Sequence, residues 1–392
     1  MPNTKNWLSD QWQHLTKDWF STKEDQTVPL DQVSLFYQSD FYHSLDAGLK
    51  SAFYDGPLGG LDARIIERKD LKFLHNSYQL WENGRNVSCA IYGEKGTGLS
   101  TLLNVFVNDL KQKEKPYKLL PLNKRLSNEQ EVINTIAKAL GIENQDYKLD
   151  DFIDLVNQLP PMVIAIDNLH LLVQRTLAAQ AVIDCFSAVI LASRGHHFWL
   201  LAAEDQAWRR LCYGYSFENL ISHQQHVSNF SESQMRELLI NRFSYAGFNI
   251  INDIPTDKLH KEKGPLHNIA KRSKGCVELG LFYCLNHLTH GTKPQSIFLM
   301  KPGEIDTTPL KKLTQSELFT LAEISTHGQL AVREHAKIFR MSHNESKMIL
   351  EHLRVLGILD ITEDNAVNPV YQMKLIICAV VIRYLISMNY LY

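Results

Sequence analysis

Gly93-Glu94-Lys95-Gly96-Thr97-Gly98-Leu99-Ser100 follows the pattern G-x-x-x-x-G-K-[ST] at every fixed position but one. Where the pattern has its lysine, this chain has Leu99. In an intact loop of this kind, backbone N–H groups cradle phosphates, the lysine reaches the β- and γ-phosphates, and the Ser/Thr hydroxyl ligates Mg²⁺. Leucine offers an anion nothing. The stretch predicts a phosphate-binding loop that lacks the charge on which tight binding and fast phosphoryl transfer depend.

The flanks decide whether the match is more than chance. Asn86-Val87-Ser88-Cys89-Ala90-Ile91-Tyr92 is a short apolar run of strand type, and Ser100 to Leu110 places apolar residues at helical spacing. Strand, glycine loop, helix is the setting such a loop requires. About seventy residues on, Pro161-Met162-Val163-Ile164-Ala165-Ile166-Asp167-Asn168 reads as a buried parallel strand ending in an acid. That is the form of a Walker B strand, whose Asp holds Mg²⁺ through water.

Composition sets outer bounds. A chain of 392 residues is long enough for two or three domains, and 44% hydrophobic with 21% charged residues is the make-up of a folded protein. A formal net charge of −2 provides no global attraction for nucleic acid or acidic membrane. Cys89, Cys185, Cys212, Cys276, Cys284 and Cys378 lack C-x-x-C spacing and lie mostly in apolar runs. They read as buried free thiols in a reducing compartment, with the cytoplasm as the expected location. Met1-Pro2-Asn3-Thr4-Lys5 is not followed by a signal-type apolar core. Leu375 to Leu391 is apolar but short and interrupted by Arg383, so a buried helix is expected there and no transmembrane span.

Four segments follow from patterning. Residues 1–60 form an aromatic, helical extension with Trp7, Trp12, Trp19, Phe20, Phe36, Tyr37, Phe41, Tyr42 and Phe53, closed by the Gly56-Pro57-Leu58-Gly59-Gly60 turn cluster. It either packs on the main domain or presents a partner surface. Residues 61–230 read as an α/β unit. Helices are expected at Ile66–Trp81, at Ser127–Leu140 (Ser127 as cap, Gln130 completing a capping box, Gly141 as stop), at Asp150–Leu159 and at Thr176–Ser193. Strands are expected at Tyr117–Leu122, His197–Ala203 and Gln225–Ser228. Alternating strands and helices imply a parallel sheet covered on both faces.

Residues 231–300 read as a helical lid, with a capping box at Ser231 and Gln234, a helix over Met235–Tyr245 and one or two more in Leu266–Leu288. A linker with Pro294, Pro302, Gly303 and Pro309 leads into residues 301–392. There the pattern gives helices over Gln315–Ser325, Ala331–Phe339 and Asn344–Leu356, two short strands about an acidic turn in Gly357–Val367, and a final helix. Three helices and a β-wing describe a winged helix-turn-helix.

This layout resembles the AAA+/STAND superfamily of P-loop ATPases, particularly bacterial and Orc/Cdc6-like members with a C-terminal winged helix. Ile66-Glu67-Arg68-Lys69-Asp70-Leu71 looks like the opening G-R-E-x-E-L motif of those proteins, with Glu67 in place of the glycine. Ser273-Lys274-Gly275-Cys276-Val277-Glu278 lies where the family has S-x-G-N-x-R, whose arginine is the sensor 2 contact to γ-phosphate. The resemblance spans about residues 61–392. It implies an α/β P-loop NTPase core, AAA+-like, with a parallel sheet, a helical lid and a winged helix. The residues placed at nucleotide are Gly93, Glu94, Lys95, Gly96, Thr97, Gly98, Leu99, Ser100, Thr101 and Asp167, with Ser100 and Asp167 as Mg²⁺ partners.

The departures share a direction. Leu99 replaces the lysine, Asn168 the glutamate that polarises the attacking water, and Glu278 the sensor 2 arginine. The strand that carries a polar sensor 1 residue in the family reads here as ending in Ala202 and Ala203. Each loss strips electrostatic stabilisation from one transition state, and one such loss commonly costs about a hundredfold. The expectation is a pseudo-ATPase acting as scaffold or regulatory subunit, with no catalytic residues and at most weak binding of ATP or ADP with Mg²⁺. Its partner would be a protein, such as an active ATPase or a larger, membrane-associated complex, in a homo- or hetero-oligomer. One alternative is a slow ATP-dependent switch that uses Lys95, otherwise read as a solvated loop lysine. Arg209 and Arg210 are either a contribution to a neighbouring subunit or surface residues beside a packed Trp208, and His170 is read as structural.

A third reading is an initiator-like DNA-binding protein whose recognition helix uses Lys347 and Arg354. Residues 313–392 carry seven Lys/Arg against eight Asp/Glu, so the module is close to neutral and lacks the basic stripe that phosphate contacts need. Protein docking is the favoured role for it.

Overall fold

The computed structural model describes residues 27–143, 145–173, 178–252, 264–291, 295–363 and 368–391. Trp7, Trp12, Trp19 and Phe20, the helix start at Thr176, Pro294 and the acidic-turn residues 364–367 lie outside the described residues. Two compact units form, each from separated segments: residues up to Tyr54 join Ser231–Lys312, and Asp55–Phe230 join Leu313–Tyr392.

The second unit is built on five parallel strands, β1 (Cys89–Gly93), β2 (Tyr117–Pro121), β3 (Val163–Asp167), β4 (Phe198–Glu204) and β5 (His223–His226), in the spatial order β2-β3-β4-β1-β5. Six helices accompany them: α1 (Asp70–Glu82), α2 (Leu99–Gln112), α3 (Glu129–Leu140), α4 (Leu149–Gln158), α5 (Ala178–Ser193) and α6 (Asp205–Tyr215). The central strands are nearly all apolar because helices cover both sheet faces. One face packs Ile164, Ile166, Trp199 and Leu201 against α3 and α5; the other packs Val163, Ala165, Phe198 and Leu200 against α2.

Two local readings change. The helix expected from Ile66 begins at Asp70, and Arg68 before it is turned to the Thr97 carbonyl of the glycine loop. The cap of α3 is Asn128, whose side chain accepts from the Glu131 N–H; Ser127 N–H and Oγ donate instead to the Glu131 carboxylate, and Gln130 reaches Asn134. Gly141 closes that helix at φ +81°, a conformation that favours glycine.

Residues 313–391 of the same unit form α7 (Gln315–His327), β6 (Gln329–Ala331), α8 (Val332–Phe339), α9 (His343–Val355), β7 (Leu359–Glu363), β8 (Val370–Met373) and α10 (Leu375–Ser387). The antiparallel order β6-β8-β7 beside three helices is a winged-helix arrangement. Capping boxes at Thr314/Glu317 and Ser342/Glu345 start α7 and α9. Most of α10 is buried, and among the described residues no helix is long and apolar enough to cross a membrane.

In the first unit, Phe36 meets Phe282 edge-on at 5.1 Å and Phe53 meets Phe243 at 4.6 Å. Arg242, 3% exposed, donates to the carbonyls of Ala52 and Tyr54. The extension around Phe36 and Phe53 thus packs on the helices Glu232–Tyr245 and Val277–Asn286. Besides these helices the unit holds a small sheet, with Ser296–Leu299 parallel to Asn249–Ile250 and antiparallel to Leu288–His290. All six cysteines are free, five of them buried.

Candidate phosphate-binding site

The loop leaves β1 at Gly93, where close approach requires glycine: an added Cβ would stand 2.5 Å from the Val227 carbonyl oxygen. The Thr97 N–H donates to the Glu94 carbonyl at 3.2 Å, and Gly96 and Gly98 take φ of +86° and +82°. The loop so curled starts α2 from a left-handed Gly98, with the first N–H groups of that helix at the loop end. The Thr97 hydroxyl is buried with no hydrogen-bond partner.

Arg68 holds the loop from outside. Its guanidinium donates to the Thr97 carbonyl, to the Ser228 carbonyl at 2.6 Å and to Asp70 at 3.1 Å, and lies 4.4 Å from the Phe230 ring centre. One planar fork thus ties the loop to the chain leaving β5. The opening motif is legible in the sequence; the task of its arginine is a finding of the structure.

Leu99 packs with the apolar cluster of Leu102, Leu103 and Phe106. Ser100 is partly exposed on the first turn of α2. Thr101 Oγ1 accepts from the Leu58 N–H at 3.1 Å, while Asn104 donates to the Leu58 carbonyl, so the 58–60 turn lies along α2. Asp167, at the end of β3, accepts from the Asn168 N–H at 2.8 Å. Asn168 sits at φ +60° and donates its amide to the Leu122 carbonyl at 3.1 Å, a bond a glutamate carboxylate cannot make. Position 168 is therefore occupied structurally.

Two readings of the loop mouth are corrected. Lys95 is not solvated: it is 20% exposed, with Nζ 3.5 Å from Glu204 Oε1. The fourth strand does not end in alanines but at Glu204. His170 Nδ1, buried and without a hydrogen bond, lies 3.8 Å from the same carboxylate oxygen. Burial pushes the Glu204 carboxyl up, yet Lys95 and His170 outweigh it and hold it below the usual carboxylate range. Burial keeps His170 below its ordinary value, with Glu204 opposing, so the ring is neutral near pH 7. Glu204 was missed because the strand was ended one residue early; a carboxylate at the carboxyl end of a parallel strand was the available signal.

Glu94 accepts from Asn229 at 2.8 Å and lies 3.5 Å from an Arg383 guanidinium nitrogen on α10. Arg209 pairs with Asp205 one turn back, and Trp208 is buried in a stack with Tyr92. Glu278 belongs to the first unit, 6% exposed, accepting from Cys276 Sγ. On α9, Lys347 is exposed and Arg354 donates to Glu351 at 2.8 Å, among the exposed Met348 and Val355. The described residues contain no cluster of three or more His, Cys, Asp or Glu able to hold a metal.

A glycine loop after β1, an acid at the end of β3, and β4 inserted between those strands define the core. The fold is an AAA+-like α/β P-loop fold. Among solved structures the chain is similar to the Aeropyrum pernix ORC2 protein in ADPNP-ADP complexes, with 14% identity, a TM-score of 0.46, and 87% of this chain and 98% of that one covered. It is similar to Cdc6p from Pyrobaculum aerophilum at 16% identity and TM-score 0.45, covering 88% and 99%. It is similar also to the Aeropyrum pernix ORC1 protein in complex with DNA at 12% identity and TM-score 0.45, covering 88% and 98%. No protein-family model and no curated protein matches the sequence. A phosphate chain at this loop would meet the left-handed Gly96 and Gly98 and the unpartnered Thr97 hydroxyl, and Ser100 with Asp167 would be the residues left to hold Mg²⁺.

Proposed function

We propose that this chain is an AAA+-type pseudo-ATPase, a scaffold or regulatory subunit whose P-loop binds nucleotide weakly and turns it over little. One observation carries the reading: Leu99 lies in the apolar packing of α2, and Lys95, the one lysine of the loop, is engaged by Glu204. Phosphoryl transfer is positioning plus electrostatic stabilisation, and a glycine loop without a committed cation supplies the first without the second. Asn168, tied to the Leu122 carbonyl, leaves no carboxylate at the position where water would be polarised. The winged helix is proposed as a protein-docking module, in a homo- or hetero-oligomer, since α9 mixes Lys347 and Arg354 with Glu351, Met348 and Val355. Six free thiols fit a cytoplasmic setting.

The test compares phosphate release from Mg-ATP by the purified full chain and by a Leu99→Lys/Asn168→Glu variant. The wild type is expected to match buffer. Steady hydrolysis by the unaltered chain overturns the proposal.

A further inference from the structure

At the loop mouth, three elements bring side chains to one carboxylate oxygen. Lys95 comes from the loop, Glu204 from the end of β4, and His170 from the turn after β3, at 3.5 Å and 3.8 Å from Glu204 Oε1. All three are largely withdrawn from water, with side-chain exposures of 20%, 16% and 13%. A phosphate at the loop would need the ammonium that Glu204 now engages, and it would meet the carboxylate's like charge as well. Glu204 therefore opposes a phosphate twice over, by holding the cation and by adding an anion.

The buried His170 Nδ1, which has no hydrogen bond, bears independently on the same point. With Nδ1 protonated, the ring offers Glu204 a replacement donor less than one side-chain shift away. Lys95 can then leave without stranding a buried carboxylate, a loss that would otherwise forbid the exchange. The ring also lies against the winged helix: a Cβ at Gly328, which stands at φ +77°, would be 2.4 Å from His170 Cδ2.

We propose that Glu204 is a resident counter-ion of the P-loop, and that the polyphosphate of a nucleoside di- or triphosphate binds by taking Lys95 from it, leaving Glu204 to His170. This rests on the weak nucleotide binding proposed above and names what makes it weak. Tripolyphosphate and ADP are titrated calorimetrically into the full chain as wild type, Glu204→Gln, Lys95→Met and the double variant. Glu204→Gln is expected to tighten tripolyphosphate about tenfold, about 1.4 kcal/mol, and Lys95→Met to cancel that gain. No gain in Glu204→Gln, no binding in either form, or a gain that survives Lys95→Met overturns the proposal. Lys95 acylation in the wild-type chain needs no variant to fold: saturating tripolyphosphate should change its labelling rate, and an unchanged rate counts against the idea. Hydrolysis by the wild type would sink the pseudo-ATPase reading while leaving this exchange to stand on its affinities.

Discussion

Arg125 and Lys95 belong to the same α/β unit and meet opposite fates. Arg125, 10% exposed in the connection between β2 and α3, donates to Glu334 at 3.2 Å and to the backbone carbonyls of His327 and Gln329. Beside it, the His327 ring nitrogens lie 3.0 Å from the Val173 carbonyl and from Glu323. This seam joins the sheet to the winged helix with charge-assisted bonds to fixed acceptors. At the loop mouth the opposite holds: an apolar residue occupies the lysine position, and Lys95 meets a single side-chain carboxylate at 3.5 Å. The difference teaches where the chain commits its buried charge, which is to holding the winged module on the core and not to gripping a ligand.

Removing Arg125 is the severest challenge to that contrast. Arg125→Ala deletes the fork and leaves the His327 and Gln329 carbonyls short of a donor, so a loss of about 3 kcal/mol is expected by chemical denaturation. Arg125→Lys should recover less than half, since one ammonium cannot serve the same spread of acceptors. A loss below about 1 kcal/mol would show the seam to be incidental.

Acid should load both regions next. His335, fully buried on α8 and 2.8 Å from Thr320 Oγ1, has its pKa pushed down to about 4 by burial, against a weak pull from Glu323. The unfolded ring titrates near 6.5. A histidine depressed on folding stabilises fully above the unfolded value, and that contribution fades as pH falls from about 6.5 to 4, by up to about 3 kcal/mol. Glu204, held below the ordinary carboxylate value, gives up its contribution only at lower pH, as it falls through its own folded value. The contribution of His170 at the loop mouth, also depressed by burial, fades in the same direction as that of His335. Melts across pH 7 to 4 should therefore weaken the whole unit, and His335→Asn should flatten part of that slope. An identical slope in the variant would remove His335 from the account.

What the sequence disclosed follows from what is local. The strand, loop and helix around Gly93, the strand to Asp167 and the helices of the winged module announce themselves by periodicity, apolar runs and glycine stops within a dozen residues. The sheet beside Ser296–Leu299 did not, because its strands are two to four residues long and carry no sustained alternation. The loop mouth was half visible. Lys95 was noticed, but its partner lies more than a hundred residues away on a strand whose end was misjudged by one residue. Arg125 carries no motif, and only the fold brings His327, Gln329 and Glu334 to it.

A smaller effect sharpens the loop side. If position 168 now holds structure, Asn168→Glu alone should cost about 1–2 kcal/mol, through the lost donor to Leu122 and a less tolerant side chain at φ +60°. A neutral outcome in thermal melts would mean the turn accepts the acid and that asparagine is there for another reason.

The least effect is expected on the outer face of α9, and it tests whether the winged helix is a DNA reader. Lys347 is exposed, and Arg354, 44% exposed, already spends its guanidinium on Glu351 three residues back. Alanine at either site should shift stability by no more than about 0.5 kcal/mol, as exposed ion pairs do. For a DNA reader each loss would also lower the salt slope of duplex binding by about one. In a near-neutral module with Met348 72% and Val355 75% exposed on the same helix, no such slope is expected at low ionic strength, and the double alanine variant should behave as the wild type does. A salt-dependent mobility shift that both substitutions weaken would reverse the assignment: the charge withheld from the loop would then serve a polyanion on α9, and that helix would be a nucleic-acid surface after all.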